Sequence, residues 1–511
     1  MEESRTKNSI RNIKTGAIVQ IINKLMAFVV RTVFIRALNT EYLGVNGLFT
    51  NILTILSFAE LGIGTAIIFN MYKPIAEDNK EKVKSLMKLY RKSYNIIGVI
   101  VFVLGLCMIP FMDFIIKDAP NIKENLIIIY LLYLFNTSSS YFFTYKKSII
   151  SAHQKQSIID NIDSIFYLLK SILEIILLVI TKNFIIYLLI QILGTFLENI
   201  IISIKANKLY PYLKEKDVKK LEKEENKNIF DNVKSLIIYK FGGVIMNGTD
   251  NILISSLLNV SVVGLCSNYT LIINSIKSII VSSLNGVTAS VGNLNAIGET
   301  KQKEKIFYQL TFINYIIYSF LAISFIVLLN PFISLWLGNK YVLEIAVSIA
   351  LGLNFFIDGL RNPGYIYRTT LGLFQKAKYT PYIAVITNIF LSIILCEKMG
   401  VAGIFLATVI AQLVSYCWID PYLIHKYEFK TSVKKYFKKY IIYVLTFIIS
   451  VIISLILINK INFSNNIINF IMKIMIVMIV PNLINLICFY KTEEFKYVKE
   501  KIIKFIKKDK K

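Results

Sequence analysis

Charged side chains inside long apolar runs are the residues here with the most chemistry to explain. A Lys, Arg or Asp at the centre of a membrane helix costs about 2.5–3.5 kcal/mol on insertion scales, so it turns toward a protein interior or a wet cavity. The first apolar run holds Lys24 near mid-depth and Arg31 seven residues later, which puts both on one helix face. They are expected to line a cationic cavity; the competing readings are snorkelling and a structural ion pair. Arg36, on another face near the outer end, is expected to snorkel. The second run holds Glu60, followed by Gly62 and Gly64, which weaken the helix and let it bend. Glu60 is either paired with Lys24 or Arg31, or a protonatable coupling group. The segment Asn247-Gly248-Thr249-Asp250-Asn251 is the most polar patch in any run, with Asp250 near mid-depth. Lys240 lies nearer the inner end of the same run, and Lys277 near the middle of the next. Lys170 with Glu174, and Asp358 with Arg361, have the spacing of self-neutralising helix pairs. Several cations with few acids suit an anionic ligand, and a pyrophosphate offers them dense charge-assisted bonds.

These residues require helices to position them. The chain has 511 residues, 55% of them hydrophobic and only 18% charged, and apolar runs of membrane-spanning length recur throughout. The runs are continuous rather than alternating, and too long for barrel strands. The expected fold is an all-α integral membrane protein of about 14 transmembrane helices, over 14–38, 45–72, 94–116, 125–146, 158–181, 184–205, 235–258, 263–291, 307–330, 342–366, 379–397, 401–420, 440–459 and 466–490. They divide into a six-helix lobe (1–209), a linker (210–234), a second six-helix lobe (235–430), and two extra helices with a basic tail (431–511). One set of connections carries 45 Lys and Arg, the alternate set six. That asymmetry predicts that both termini are cytoplasmic. It also accounts for the net charge of +26 without nucleic acid, and implies contact with anionic membrane lipids. Ile75–Tyr94 and Thr492–Lys508 read as basic amphipathic helices on the inner surface.

Several chemistries are disfavoured. The two histidines, His153 and His425, fall in loop positions, and no Cys/His metal spacing occurs. No phosphate-binding G-x-x-x-x-G-K-[ST] loop is present, so the chain does not hydrolyse ATP itself. The five cysteines sit in or beside apolar runs and read as free thiols. The 30 tyrosines suit an interfacial belt better than sugar stacking. No metal or cofactor is expected, with proton or sodium coupling left open.

An internal repeat supports two halves. Leu43-Gly44 precedes Phe49-Thr50 just as Val263-Gly264 precedes Tyr269-Thr270, and Gly64-Thr65-Ala66 has its counterpart in Gly286, Thr288 and Ala289. Such duplication is expected of transporters whose halves move about a central site.

The stretch Arg31-Thr32-Val33-Phe34-Ile35-Arg36-Ala37-Leu38, then Glu41-Tyr42-Leu43-Gly44-Val45-Asn46-Gly47-Leu48, Leu56-Ser57-Phe58-Ala59-Glu60-Leu61-Gly62-Ile63-Gly64 and Tyr72-Lys73-Pro74, resembles bacterial capsule and exopolysaccharide repeat-unit flippases of the multidrug/oligosaccharidyl-lipid/polysaccharide exporter superfamily. Asp250-Asn251-Ile252-Leu253-Ile254-Ser255, Ser267-Asn268-Tyr269 and Gly292-Asn293-Leu294 resemble its second-half signatures. The resemblance implies two six-helix lobes around a central cavity, alternating access, and transfer of an undecaprenyl-pyrophosphate-linked oligosaccharide to the outer leaflet of the bacterial cytoplasmic membrane. A polysaccharide polymerase is the implied protein partner. Lys24, Arg31 and Lys277 are the expected pyrophosphate ligands, with Glu60 and Asp250 as coupling or cavity acids. The alternatives are a cation-coupled multidrug exporter of the same superfamily and a peptidoglycan-precursor flippase.

Overall fold

A computed structural model describes residues 5–60, 63–153, 155–215, 218–219, 221–227, 229–230, 248–373, 376–461, 463 and 465–508, with side chains from residue 20 onward. No strand occurs among the described residues. The chain divides into two compact units, Met1–Gly264 and Leu265–Lys511.

The first unit contains α1 (Arg5–Ala37), α2 (Thr40–Leu56), a 3-10 turn (Ser57–Glu60), α3 (Ile63–Ala76), α4 (Lys80–Met108), the single turn α5 (Met112–Ile115), α6 (Leu126–Ala152), α7 (Gln156–Thr181) and α8 (Phe184–Leu209). The described part of α9 covers residues 248–257. Next come α10 (Val260–Ile297), which runs into the second unit, α11 (Thr300–Leu337), α12 (Ile345–Thr370), α13 (Thr380–Val414), α14 (Tyr416–Ile424), a π turn (His425–Phe429), α15 (Lys434–Asn459), α16 (Asn466–Phe489) and α17 (Glu493–Lys508). Nine helices among the described residues are long and apolar enough to cross a membrane. Their outer faces are bare: Ile165, Leu169, Ile172, Leu173, Ile176 and Ile180 of α7 are all exposed, as residues facing lipid must be.

Asparagine starts many of these helices. Asn39, Asn79, Asn125, Asn183 and Asn465 each accept hydrogen bonds from backbone amides of the first turn. Those amides have no carbonyl partner within the helix, and a short side-chain acceptor supplies one.

Three features differ from the sequence expectation. The run expected as one helix over 45–72 is two, α2 and α3, separated by the 3-10 turn that carries Glu60. Ile75–Tyr94 is not a separate surface helix. The chain turns at Asp78, Asn79 caps a new start, and α4 runs unbroken from Lys80 through the apolar region because no proline interrupts it. The helices expected at 379–397 and 401–420 join directly, broken at Gly400, whose φ of +54° interrupts the helical path. Gly62, Lys240, Asn247 and the first half of the run 235–258 lie outside the described residues. The expected tail helix appears as α17.

The first unit packs α1 on α7, α4 on α6, and α8 on both α6 and α7. Although the sequence grouped Asp250 with the second lobe, α9 belongs with the first unit. Ser255 Oγ donates to Ile115 O at 2.9 Å, and Lys117 Nζ to Leu257 O at 3.0 Å. The starts of α2 and α10 approach backbone to backbone. A Cβ on Gly44 would strike the Val260 carbonyl, and one on Gly264 would strike the Thr40 carbonyl and the Gly44 amide. In the second unit α11 is the central element, flanked by α12, α15, α16 and α17. Tyr315 donates to Asn485 Oδ1 at 2.7 Å and stacks on Tyr443 with centroids 4.5 Å apart, which ties α15 and α16 to α11.

Gly44→Ala and Gly264→Ala each force backbones apart, at a cost of about 1–3 kcal/mol. Both should lower the melting midpoint in detergent. Gly292→Ala, where a Cβ would meet only Thr370 Cγ2 at 3.6 Å, should leave it unchanged.

Candidate functional site

Lys24, Arg31, Glu60 and Asp250 all fall in the first unit, and Lys277 in the second. Lys24 and Arg31 ride on α1, which α7 holds in place; Asn23 Nδ2 donates to Ser164 Oγ at 3.3 Å. Lys24 is half-buried, and no acid lies within ion-pair distance of it among the described residues. Arg31 is also half-buried and lies within electrostatic reach of Tyr187 on α8. The Tyr187 ring packs on Phe34, one turn further along α1, at 5.2 Å. Arg36 is exposed, as expected of a snorkelling residue.

Glu60 does not form the expected ion pair with Lys24 or Arg31. It sits in the turn between α2 and α3, where Tyr94 Oη donates to its Oε1 at 2.6 Å and Tyr141 also reaches it. Tyr90 packs edge-on against Tyr94, with centroids 4.5 Å apart. A Cβ on Gly64 would fall 2.7 Å from the Tyr90 hydroxyl and 2.9 Å from that of Tyr94, so only glycine lets α3 approach these rings. The carboxylate is therefore held by neutral donors at a helix break. Asp250 is half-buried on α9; the neighbouring Gly248 abuts Ile55 of α2.

Lys277 is committed to a partner. Its Nζ lies 2.5 Å from Asp358 Oδ2, while Arg361 Nε donates to Asp358 Oδ1 at 3.1 Å. The Arg361 guanidinium in turn covers the Tyr416 ring at 4.5 Å. The helix pair Asp358–Arg361 thus exists, enlarged by Lys277. Lys170 and Glu174 do not close into a pair. Lys170 lies across Gly194 of α8, and Glu174 is buried and bonds toward Gln191.

Two charge clusters escaped the sequence reading. Lys147 of α6 joins Asp163 of α7 at 3.1 Å and Glu198 of α8 at 2.8 Å. Arg368 Nη1 donates to Asp420 Oδ1 at 2.8 Å, with both side chains 2% exposed. Asp420 lay inside an apolar run, and the cost of burying it should have prompted a search for its cation. No group of three or more His, Cys, Asp or Glu that could hold a metal occurs among the described residues.

Residues 9–289, more than half of the chain, match the family described as "Polysaccharide biosynthesis protein". The chain belongs to this family. No match is found among curated proteins. Among solved structures, the chain is similar to the lipid II flippase MurJ in an inward closed conformation, with a TM-score of 0.60 and 17% identity over 93% of this chain and 98% of that one. It is also similar to an inward-facing multidrug resistance MATE family transporter of the MOP superfamily, with a TM-score of 0.58 and 15% identity over 79% and 97% of the two chains. The Vibrio cholerae MATE transporter VcmN in its bent form gives a TM-score of 0.53 and 12% identity over 83% and 98%. At these identities the likeness is one of fold. The chain thus joins membership of a polysaccharide biosynthesis family to a fold shared with these membrane transporters.

Arg368→Met should remove one partner of a buried pair and cost about 3–5 kcal/mol, seen as loss of monodisperse protein. Arg368→Met with Asp420→Leu should recover much of it, because no uncompensated charge is then left behind.

Proposed function

We propose that this protein moves undecaprenyl-pyrophosphate-linked oligosaccharide repeat units from the inner to the outer leaflet of the bacterial cytoplasmic membrane, supplying surface polysaccharide synthesis. The observation that carries the reading is the match to a polysaccharide biosynthesis family across residues 9–289, on a fold shared with a lipid II flippase over 93% of the chain. The MATE transporter spans 79% of the chain, so the flippase is the fuller fold counterpart. That favours a lipid-linked glycan over a soluble drug as cargo.

The pyrophosphate docks against Lys24 and Arg31 on α1. Lys24 suits this role because it enters with its charge unspent on any described acid. Lys277, in the second unit and already bonded to Asp358, is not a free ammonium. The polyprenyl tail stays in lipid throughout, so only the polar head crosses. Alternating access, driven by an ion gradient or by downstream polymerisation rather than by ATP, carries the head outward. Protonation of Glu60, or of Asp250 on α9, resets the cycle: a neutral Glu60 loosens its hold on Tyr94 and frees the α2–α3 turn to straighten. Both termini and the basic connections face the cytoplasm, where the large Lys and Arg excess meets anionic lipid. A polysaccharide polymerase receives the product.

Deleting the gene should abolish surface polysaccharide and cause the polyprenyl-linked unit to build up on the inner leaflet. Lys24→Ala and Arg31→Ala, at matched expression, should each reproduce much of that defect. Normal polymer in the deletion strain would refute the glycan reading in favour of drug export. Normal polymer in both point variants, with the deletion defective, would refute only the cationic docking.

A further inference from the structure

The basic end of the first unit contains a groove of about 910 Å³, formed by α4, α6 and the segment after α8. Its upper part carries five cations: Lys88, Arg91 and Lys92 of α4, with Lys219 and Lys223 of the following segment. All five are exposed, and none has an acid within ion-pair distance among the described residues. Their neighbours are neutralised. Lys82 pairs with Glu225, and Lys84 pairs with Glu81 and, at 2.7 Å, with Glu215. Those bonds, with Ser85 Oγ donating to Lys219 O at 2.7 Å, fix the segment onto α4. The five remaining cations have no ion-pair partner among the described residues.

The lower part of the groove is apolar and open to the side. Ile96, Val99, Ile100 and Phe142 line it, with exposures of 49%, 53%, 41% and 41%. Lys88, Lys92, Ile96 and Ile100 recur every fourth residue and so share one face of α4. The cations therefore stand about 12 Å along the axis from the bare aliphatic surface, roughly the step from a phosphate layer to acyl chains.

We infer that this groove is a binding site for an anionic phospholipid, with its phosphate between Lys88, Arg91 and Lys92 and an acyl chain along Ile96, Val99 and Ile100. The site depends on neither the glycan cargo nor the docking residues of α1. A soluble anion would gain nothing from the aliphatic half, and a neutral lipid nothing from the five cations. The phospholipid fits both. The same helix supplies Tyr94, which donates to Glu60.

The test uses the full chain purified in detergent, titrated with phosphatidylglycerol and followed by native mass spectrometry. Lys88→Gln with Arg91→Gln and Lys92→Gln should weaken phosphatidylglycerol binding at least tenfold. Lys434→Gln with Lys435→Gln and Lys438→Gln, an equal charge loss elsewhere, should change it less than twofold. The charge-keeping variant Lys88→Arg, Arg91→Lys, Lys92→Arg should bind within threefold of the parent. If the triple glutamine variant aggregates, the single Lys88→Gln and Lys92→Gln variants should each weaken binding about threefold. Equal losses in both glutamine triples, or no preference for phosphatidylglycerol over phosphatidylcholine, would overturn the assignment. So would displacement of the lipid by inorganic pyrophosphate, which would mark a soluble-anion site, or by prenyl pyrophosphate at equal concentration, which would hand the groove to the cargo.

Discussion

Inside hydrocarbon a charge has no water to fall back on, and most of the polar architecture of this chain follows from that one constraint. Arg368 and Asp420 are buried together. Lys147 gathers two acids from neighbouring helices, and Lys277 and Arg361 share one. Each arrangement spans two or three helices, so the need for a partner also fixes how those helices pack. Lys24 and Glu60 are two of the exceptions. Neither is paired with an opposite charge among the described residues, and Glu60 is held by phenol hydroxyls instead.

Much of this was readable in the chain. The helical class, the run lengths, the tail helix and the Asp358–Arg361 pair all follow from periodicity and spacing. Partner choice was less readable, because it depends on which helices meet. Nothing local says that Glu60 faces Tyr94, 34 residues away, or that Asp420 faces Arg368, 52 residues away. Arg368 falls just beyond the helix expected at 342–366, yet it is among the most buried side chains present. Likewise a charged first turn made Ile75–Tyr94 look like a surface helix, although nothing in that stretch stops α4 from continuing into the apolar region.

The 3-10 turn at Ser57–Glu60 shows how a local sequence choice becomes a functional element. Gly64 removes the side chain that would keep α3 away from Tyr90 and Tyr94. The close approach brings the phenols within reach of Glu60. In the proposed cycle the break is therefore held closed by a bond that protonation weakens, and a change of one charge is converted into a change of helix direction.

The contact between the starts of α2 and α10 has a consequence for the origin of the chain. Residues 40 and 44 correspond to residues 260 and 264 at the 220-residue offset of the internal repeat. Gly44 meets Val260, and Gly264 meets Thr40. Exchanging the two repeats turns each contact into the other, which is the signature of a self-complementary interface. A chain carrying a single repeat would make this contact with a second copy of itself. The glycine crossing thus has the symmetry expected of a twofold contact between two copies of one repeat.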